Sequence, residues 1–233
     1  MTIEYETIAP PSRRETLAEL RLPFDALRWT PAWFKLPRGR AAVSRPVMLL
    51  PGFGGGPRSL VALKRYLRRR GHDADDWGLG RNTGRVPQLR AALQGRVEAR
   101  VREAGEPIVC VGWSLGGYLA REFARENPSL VRKVVTLGSP VVGGPRFTAT
   151  ARWYASNGFD LQEIENAVKG RYARPLETPV VAIYSKRDGV VAWQACIDRW
   201  SPNVRHVEVD ESHLGMGFAP GVLRIVAEEV ERD

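Results

Sequence analysis

The chain has 233 residues, with 35 Lys and Arg against 26 Asp and Glu, a formal net charge of +9. That length suits one domain whose core is large enough to stand without disulfide or metal staples. The basic balance keeps an anionic lipid surface or an acidic carrier protein in view, but no zinc-finger, basic-zipper or RNA-binding signature accompanies it, so nucleic acid is set aside.

Cys110 and Cys196 fall in segments read as core elements and lack metal-ligand spacing, so reduced core thiols are expected and no metal. The start, Met1-Thr2-Ile3-Glu4-Tyr5-Glu6, has neither a basic region nor an apolar one, and no signal peptide is expected. No apolar run approaches the length of a membrane span. The expectation is a soluble, cytoplasmic protein.

Residues 1–45 are Pro-rich and read as an irregular N-terminal arm packing on the core. The arm carries one short helical pattern, Arg14 to Arg21. An aromatic segment follows, Phe24, Trp29, Trp33 and Phe34, punctuated by Pro23, Pro31 and Pro37. It is read as packing against the domain, with a membrane-contacting arm as the alternative.

Pro46 to Leu50 is a short apolar run that predicts a buried central strand. It leads into Pro51-Gly52-Phe53-Gly54-Gly55-Gly56. The loop lacks the P-loop lysine and any acidic residue placed for a ribose, which argues against phosphate binding. A loop free of Cβ atoms instead lets backbone N–H groups point at a reacting oxygen. Pro57 then opens a helix to about Arg70. Its basic cluster, Lys64, Arg65, Arg68, Arg69 and Arg70, is read as a solvated helix face rather than a docking site. Gly71 to Trp77 is a short candidate strand. Pro87 to Ala104 has helical spacing, with Leu89, Leu93, Val97 and Val101 on one face.

Pro107 to Val111 predicts a buried strand and Leu115 to Glu126 a helix. Between them stands Gly112-Trp113-Ser114-Leu115-Gly116. This is the G-x-S-x-G elbow, which sets a serine on a strained strand-to-helix turn. The flanking glycines are expected where a Cβ would collide as the chain reverses.

Leu130 to Leu137 predicts a further strand. From about 143 to 178 the alternation lapses into an aromatic and basic excursion, read as a cap. Pro179 to Tyr184 is a clear strand leading to Asp188. Val190 to Trp200 predicts a helix. Val204 to Val209 alternates as a strand and gives way to His213, and a helix from Ala219 to about Glu231 closes the chain. Strands alternating with helices predict an α/β fold, its mostly parallel sheet covered on both faces.

A serine hydroxyl needs a base to become a nucleophile, and histidine is the usual one. The chain has three, His72, His206 and His213. Ligands of parallel α/β sheets meet the carboxyl ends of strands, and that rule selects His213. The histidine needs a carboxylate partner. Asp188, directly after a strand, is favoured over Asp210, Glu211 and Asp160. The N–H of Leu115 and that of Phe53, with Gly54 as its rival, are the expected oxyanion donors.

In these motifs the chain resembles the α/β-hydrolase superfamily, and within it the bacterial lipase and esterase group. The resemblance covers residues 46–233. It rests on Leu50 to Gly56, Gly112 to Gly117, Leu137 to Pro140, Ser185 to Val191 and Ser212 to Gly215. It implies an α/β-hydrolase fold with a short cap at 143–178 and a Ser114, Asp188, His213 triad. It also implies hydrolysis of a carboxylic ester through an acyl-enzyme, without metal or cofactor. The family's loop after the first long strand usually begins His-Gly. Here it reads Pro51-Gly52, so the supporting histidine is missing while the donor role carries over to Phe53. The expected substrate is a small-molecule ester with an apolar acyl chain, with Trp113, Trp153 and Tyr154 as candidate contacts. An acyltransferase or thioesterase using the same triad is the alternative, its basic face meeting an acidic carrier protein or anionic lipid. A non-catalytic basic binding protein on an inherited fold is the reading from another class.

Overall fold

The structure, a computed structural model, describes residues 8 to 232. An N-terminal helical arm comprises α1 (Arg13–Ala18), a 3-10 turn (Glu19–Arg21) and α2 (Leu22–Lys35). Strand and helix then alternate through β1 (Pro46–Leu50), α3 (Val61–Arg69), β2 (Asp73–Asp76), α4 (Val86–Ala104), β3 (Ile108–Trp113) and α5 (Leu115–Glu126). After β4 (Val131–Leu137) come α6 (Ala151–Ser156) and α7 (Leu161–Arg171), then β5 (Val180–Tyr184), β6 (Val204–Glu208) and α8 (Pro220–Glu231).

The six strands form one sheet in the order β2-β1-β3-β4-β5-β6, every neighbouring pair parallel. Alternation along the buried strands divides the core. Val47, Leu49, Val109, Val111, Val135 and Ile183 face α3 and α8, where they meet Leu63, Leu67, Leu223 and Val226. Met48, Leu50, Cys110 and Val134 face α4 and α5, where they meet Leu93, Val97, Leu119 and Phe123. This is why β1 and β3 read as unbroken apolar runs: both faces are covered. Both thiols are free and buried, Cys110 in this packing and Cys196 in a separate cluster with Val141, Val142 and Phe147, and burial pushes the Cys110 thiol pKa up to about 12. The α/β-hydrolase architecture is thus present, an all-parallel sheet flanked by helices.

Strand order reverses between β1 and β3, since the chain moves outward to β2 before returning to the other side of β1. A crevice opens at such a switch point, beyond the carboxyl ends of the strands. The loops after β1 and β3 flank it.

Two segments differ from expectation. The arm is helical from Arg13 to Lys35 rather than irregular. Pro23 lies in the first turn of α2, where its missing N–H is not needed. Pro31 is inside α2, on the exposed side, where solvent reaches the carbonyl it leaves without a donor. Residues 190–200 do not form the expected helix. Their backbone is committed to residues 141–149: Ala149 N donates to Val190 O (2.7 Å), Ala192 N to Phe147 O (3.0 Å) and Val141 N to Ala195 O (2.8 Å). Only a 3-10 turn, Trp193–Cys196, remains. Among the described residues no helix is long and apolar enough to cross a membrane.

Of the basic cluster on and just after α3, Arg65, Arg68 and Arg69 are exposed, and part of it is tied into the fold. Lys64 pairs with Asp75 at 2.5 Å and Arg70 with Glu231 at 2.7 Å, while Arg68 Nε donates to the Ala74 carbonyl at 2.7 Å.

Leu93 is fully buried between α4 and the sheet. Leu93→Ala is expected to cost about 2–5 kcal/mol in urea unfolding, whereas Arg224→Ala, in an exposed pair, changes stability by less than about 1 kcal/mol.

Candidate active site

Ser114 stands between β3 and α5 with φ 54° and ψ −123°, the one non-glycine residue of positive φ among those described. Such a conformation is strained for an L-residue and persists only where its surroundings over-determine it. They do so here. Ser114 N donates to Leu137 O at 2.7 Å, and Gly117 N donates to Ser114 O at 3.0 Å. A Cβ at Gly112 would run into the backbone of Gly117, and one at Gly116 into the carbonyl of Leu50. The two glycines therefore let α5 start hard against β1 and β3, aiming the serine into the crevice.

Asp188 follows β5 and His213 follows β6, both nearly fully buried. Asp188 Oδ1 accepts from the amides of Val190 (2.8 Å) and Val191 (2.7 Å), which fixes the carboxylate. Its other oxygen lies 2.7 Å from His213 Nδ1. Burial pulls the His213 pKa down, but the charge and hydrogen bond of Asp188, with the more distant Glu19, outweigh it, and the net shift is upward. With Nδ1 bound to Asp188, the remaining ring nitrogen is Nε2. His213 and Ser114 line the same cavity. Among the described residues no hydrogen bond joins the Ser114 hydroxyl to the ring. In ligand-free sites such contacts are commonly long and tighten with substrate.

The rivals are engaged elsewhere. His72 lies at the amino-terminal ends of β1 and β2, its Nδ1 accepting from Arg45 N (3.3 Å). His206 Nε2 accepts from Asp198 N (3.1 Å). Asp210 faces Arg187 at 3.4 Å, Glu211 accepts from the Trp29 indole at 3.2 Å, and Asp160 caps α7.

Leu115 is the first residue of α5, where amides lack helical acceptors and the dipole favours negative charge. Phe53 lies in the loop after β1. Its rival Gly54 is already used, donating to Asn82 O at 2.8 Å. Among the described residues the Phe53 and Leu115 amides have no acceptor. Both residues line the cavity beside Ser114 and His213.

That cavity measures about 670 Å³. Tyr118 from α5, Tyr154 from α6, and Ile164 and Val168 from α7 give it mostly apolar walls. Of the three candidate substrate contacts, Trp113 and Tyr154 line this cavity and Trp153 does not. Its ring lies on Phe53, 4.7 Å between centroids, and it is 42% exposed. The cause is helical phase: α6 turns Tyr154 inward, which leaves its neighbour outside. Among the described residues no cluster suited to a metal occurs.

Glu19 escaped the sequence reading. It belongs to the arm, yet it is buried beside the site. Its Oε1 accepts from Gly189 N (2.8 Å) and His213 N (2.9 Å), and its Oε2 from Leu214 N (2.9 Å). Thr16 Oγ1 adds a bond to Gly189 O at 2.8 Å. One carboxylate thus ties the loop after β5 to the loop after β6. A lone acid within a helical pattern carries no local signal of this; only the tertiary structure brings it there.

Glu19→Ala strips three amides of their acceptor. The expected cost is about 1–3 kcal/mol or more, with faster hydrogen exchange at Gly189, His213 and Leu214 and little change in the sheet. Uniform exchange across all loops would contradict this.

A family model described as the alpha/beta hydrolase fold matches residues 45–160. Among curated proteins, the pimeloyl-[acyl-carrier protein] methyl ester esterase of Edwardsiella ictaluri is 31% identical over 139 residues, covering 58% of this chain and 51% of that protein. The enzyme of the same name from Aromatoleum aromaticum is 33% identical over 119 residues, covering 48% and 44%. The chain spans about half the length of the curated relatives it matches. Among solved structures, one from a study of the metagenome-derived lipolytic enzymes LipS and LipT superposes with a TM-score of 0.66 at 16% identity, covering 85% of this chain and 99% of that one. The lipase BlEst2 of Bacillus licheniformis gives 0.64 at 14% identity, covering 83% and 94%. At those identities the structural likeness speaks for the fold alone. The matched family model, with the all-parallel sheet described above, identifies this chain as a member of the α/β-hydrolase superfamily.

Proposed function

We propose that the chain is a carboxylic ester hydrolase of the lipase and esterase type, with Ser114 as nucleophile, His213 as general base and acid, and Asp188 as the partner of His213. The observation that carries this reading is the 2.7 Å contact of Asp188 with His213 at the wall of the cavity into which the strained Ser114 turn opens.

Asp188 holds His213 in the tautomer with a proton on Nδ1, leaving Nε2 as the base. Ser114 Oγ attacks the acyl carbon as Nε2 takes its proton. The carbonyl oxygen becomes an oxyanion and accepts from the Phe53 and Leu115 amides, each such donor being worth about 10²–10³ in rate. His213 returns the proton to the leaving alcohol, the C–O bond breaks, and an acyl-Ser114 ester remains. Water attacks it, His213 takes the water's proton and hands it back to Ser114, and the acid departs. The apolar cavity suits the acyl chain of the substrate, with Trp113 and Tyr154 among its contacts.

The names of the curated relatives favour a second, narrower reading, in which the acyl group is borne by an acidic carrier protein. The surplus of cations on this chain fits such a partner electrostatically. A methyl ester carried on acyl carrier protein is then expected to show kcat/KM at least tenfold above the free methyl ester, roughly 1.4 kcal/mol. Equal values exclude the carrier.

With a series of nitrophenyl esters of increasing chain length, Ser114→Ala is expected to lose roughly 10⁴-fold or more of kcat. Equal rates in both proteins remove Ser114 from its role. Protonation follows from the Asp188 contact. The imidazole of His213 is expected to titrate above the ordinary value of 6.5 by NMR, and lower in Asp188→Asn, because the charge that favours imidazolium is gone. Since the base works neutral, kcat/KM rises with pH through that same raised midpoint. A midpoint unchanged in Asp188→Asn contradicts the pairing.

A further inference from the structure

The helical arm has two unlike faces. Trp29 and the carboxylates Glu19 and Asp25 turn inward and are buried. On the other side Leu17 is 64% exposed, Leu20 72%, Phe24 70%, Leu27 72% and Phe34 72%. Along α2, Phe24, Leu27 and Phe34 step by three and seven, which at helical pitch sets them on one stripe about 80° wide, with Leu17 of α1 and Leu20 of the 3-10 turn just before them. Within α2 the stripe runs about 15 Å from Phe24 to Phe34.

A second period runs beside it. Arg14, Arg21, Arg28 and Lys35 recur at every seventh position and are all exposed, Arg28 and Lys35 lying at helical pitch along one edge of the α2 stripe. Arg28 shares its charge with Asp25 at 3.2 Å. Arg13, Arg38 and Arg40 add exposed cations at the two ends. Of the acidic residues between positions 12 and 40, Glu19 and Asp25 are buried and only Glu15 is exposed. The outer face of the arm is therefore apolar in the middle and cationic at its rim, whereas α3 has exposed cations, Arg65, Arg68 and Arg69, without such an apolar stripe beside them, since its apolar side chains Leu63, Tyr66 and Leu67 are buried.

Isolated exposed leucines need no explanation, but a contiguous stripe of large apolar side chains marks a docking surface. Its charge selects the occupant. A second copy would bring the same cationic row, on a chain of net charge +9. A bilayer rich in anionic lipid supplies both halves of the match, headgroup anions for the row and acyl chains for the stripe. We propose that α1 and α2 dock the protein on an anionic membrane surface, the helix axis lying in the interface plane with Leu17, Leu20, Phe24, Leu27 and Phe34 inserted. This goes beyond the ester-hydrolase reading and stands without it.

The test is sedimentation of the full chain with vesicles of phosphatidylcholine alone or mixed with phosphatidylglycerol, at low and high salt. Two triple variants accompany it, Leu20→Ser/Phe24→Ser/Leu27→Ser and Arg21→Gln/Arg28→Gln/Lys35→Gln, neither touching the proposed catalytic residues. Circular dichroism and melting of both variants establish that they fold. The expected result is partitioning to the anionic vesicles at least about tenfold stronger than to the neutral ones, weakened at least about tenfold by high salt and by either triple variant. Failure of the folded wild type to bind anionic vesicles overturns the proposal, as does binding that both variants retain. A self-association in analytical ultracentrifugation that the Ser variant abolishes, without vesicle binding, assigns the stripe to a second copy instead. Binding of an acidic carrier protein through the stripe, without vesicle binding, assigns it to that partner and equally overturns it.

Discussion

Everything in the site is referenced to one backbone conformation, the turn at Ser114 held at φ 54°. No local preference favours it. It exists because β3 is locked on both sides by parallel neighbours, because Leu137 accepts the Ser114 amide, and because Gly112 and Gly116 leave room for α5 to descend at once. The sheet, the helix and the crevice at the switch point are the apparatus that keeps a serine where an unstrained chain would not put it. The same start of α5 leaves the Leu115 amide without a helical partner, so the strained turn and a donor for negative charge come from one piece of geometry.

Around that turn the protein buries carboxylates, which is costly unless each is fully bonded. The structure meets that condition repeatedly. Asp188 receives two amides and His213, Glu19 receives three amides, and Asp198 receives Arg121 at 2.5 Å with the amides of Trp200 and Ser201. For Asp198 burial pushes the pKa up, but Arg121 and these hydrogen bonds overcome it and hold the group at about 2. These carboxylates cross-link loops that have little secondary structure of their own. Precision at the site is thus achieved by ionic hydrogen bonding to main chain, and Glu19 makes the N-terminal arm part of that framework rather than an appendage.

Much of this was legible in the residues. Strands buried on both faces announce themselves as apolar runs, as Pro46 to Leu50 and Pro107 to Val111 do; in the fold they are β1 and β3, the latter running on to Trp113. A chain-order rule and a strand-end rule singled out Ser114, Asp188 and His213, and the fold sets the last two in contact and all three near one crevice. What escaped was whatever the tertiary structure decides. Proline content hid the arm's helix, because prolines at a first turn and on a solvated face do little harm there. The stretch 190–200 looks helical by its apolar spacing but spends its backbone bonds on residues 141–149. Trp153 was separable from Tyr154 only by the phase of a six-residue helix. Glu19 lies 170 residues from one partner and 194 from another, beyond any local pattern.

The proposed mechanism turns on a covalent acyl-Ser114 ester that forms and is then hydrolysed. Rapid quenching of the protein during turnover of a nitrophenyl ester, followed by proteolysis and mass mapping, tests it directly. One acyl mass is expected on the peptide that contains Ser114, appearing with the first equivalent of nitrophenol and absent from Ser114→Ala. Sustained turnover with no adduct on that peptide, or with the acyl group on another residue, would contradict it.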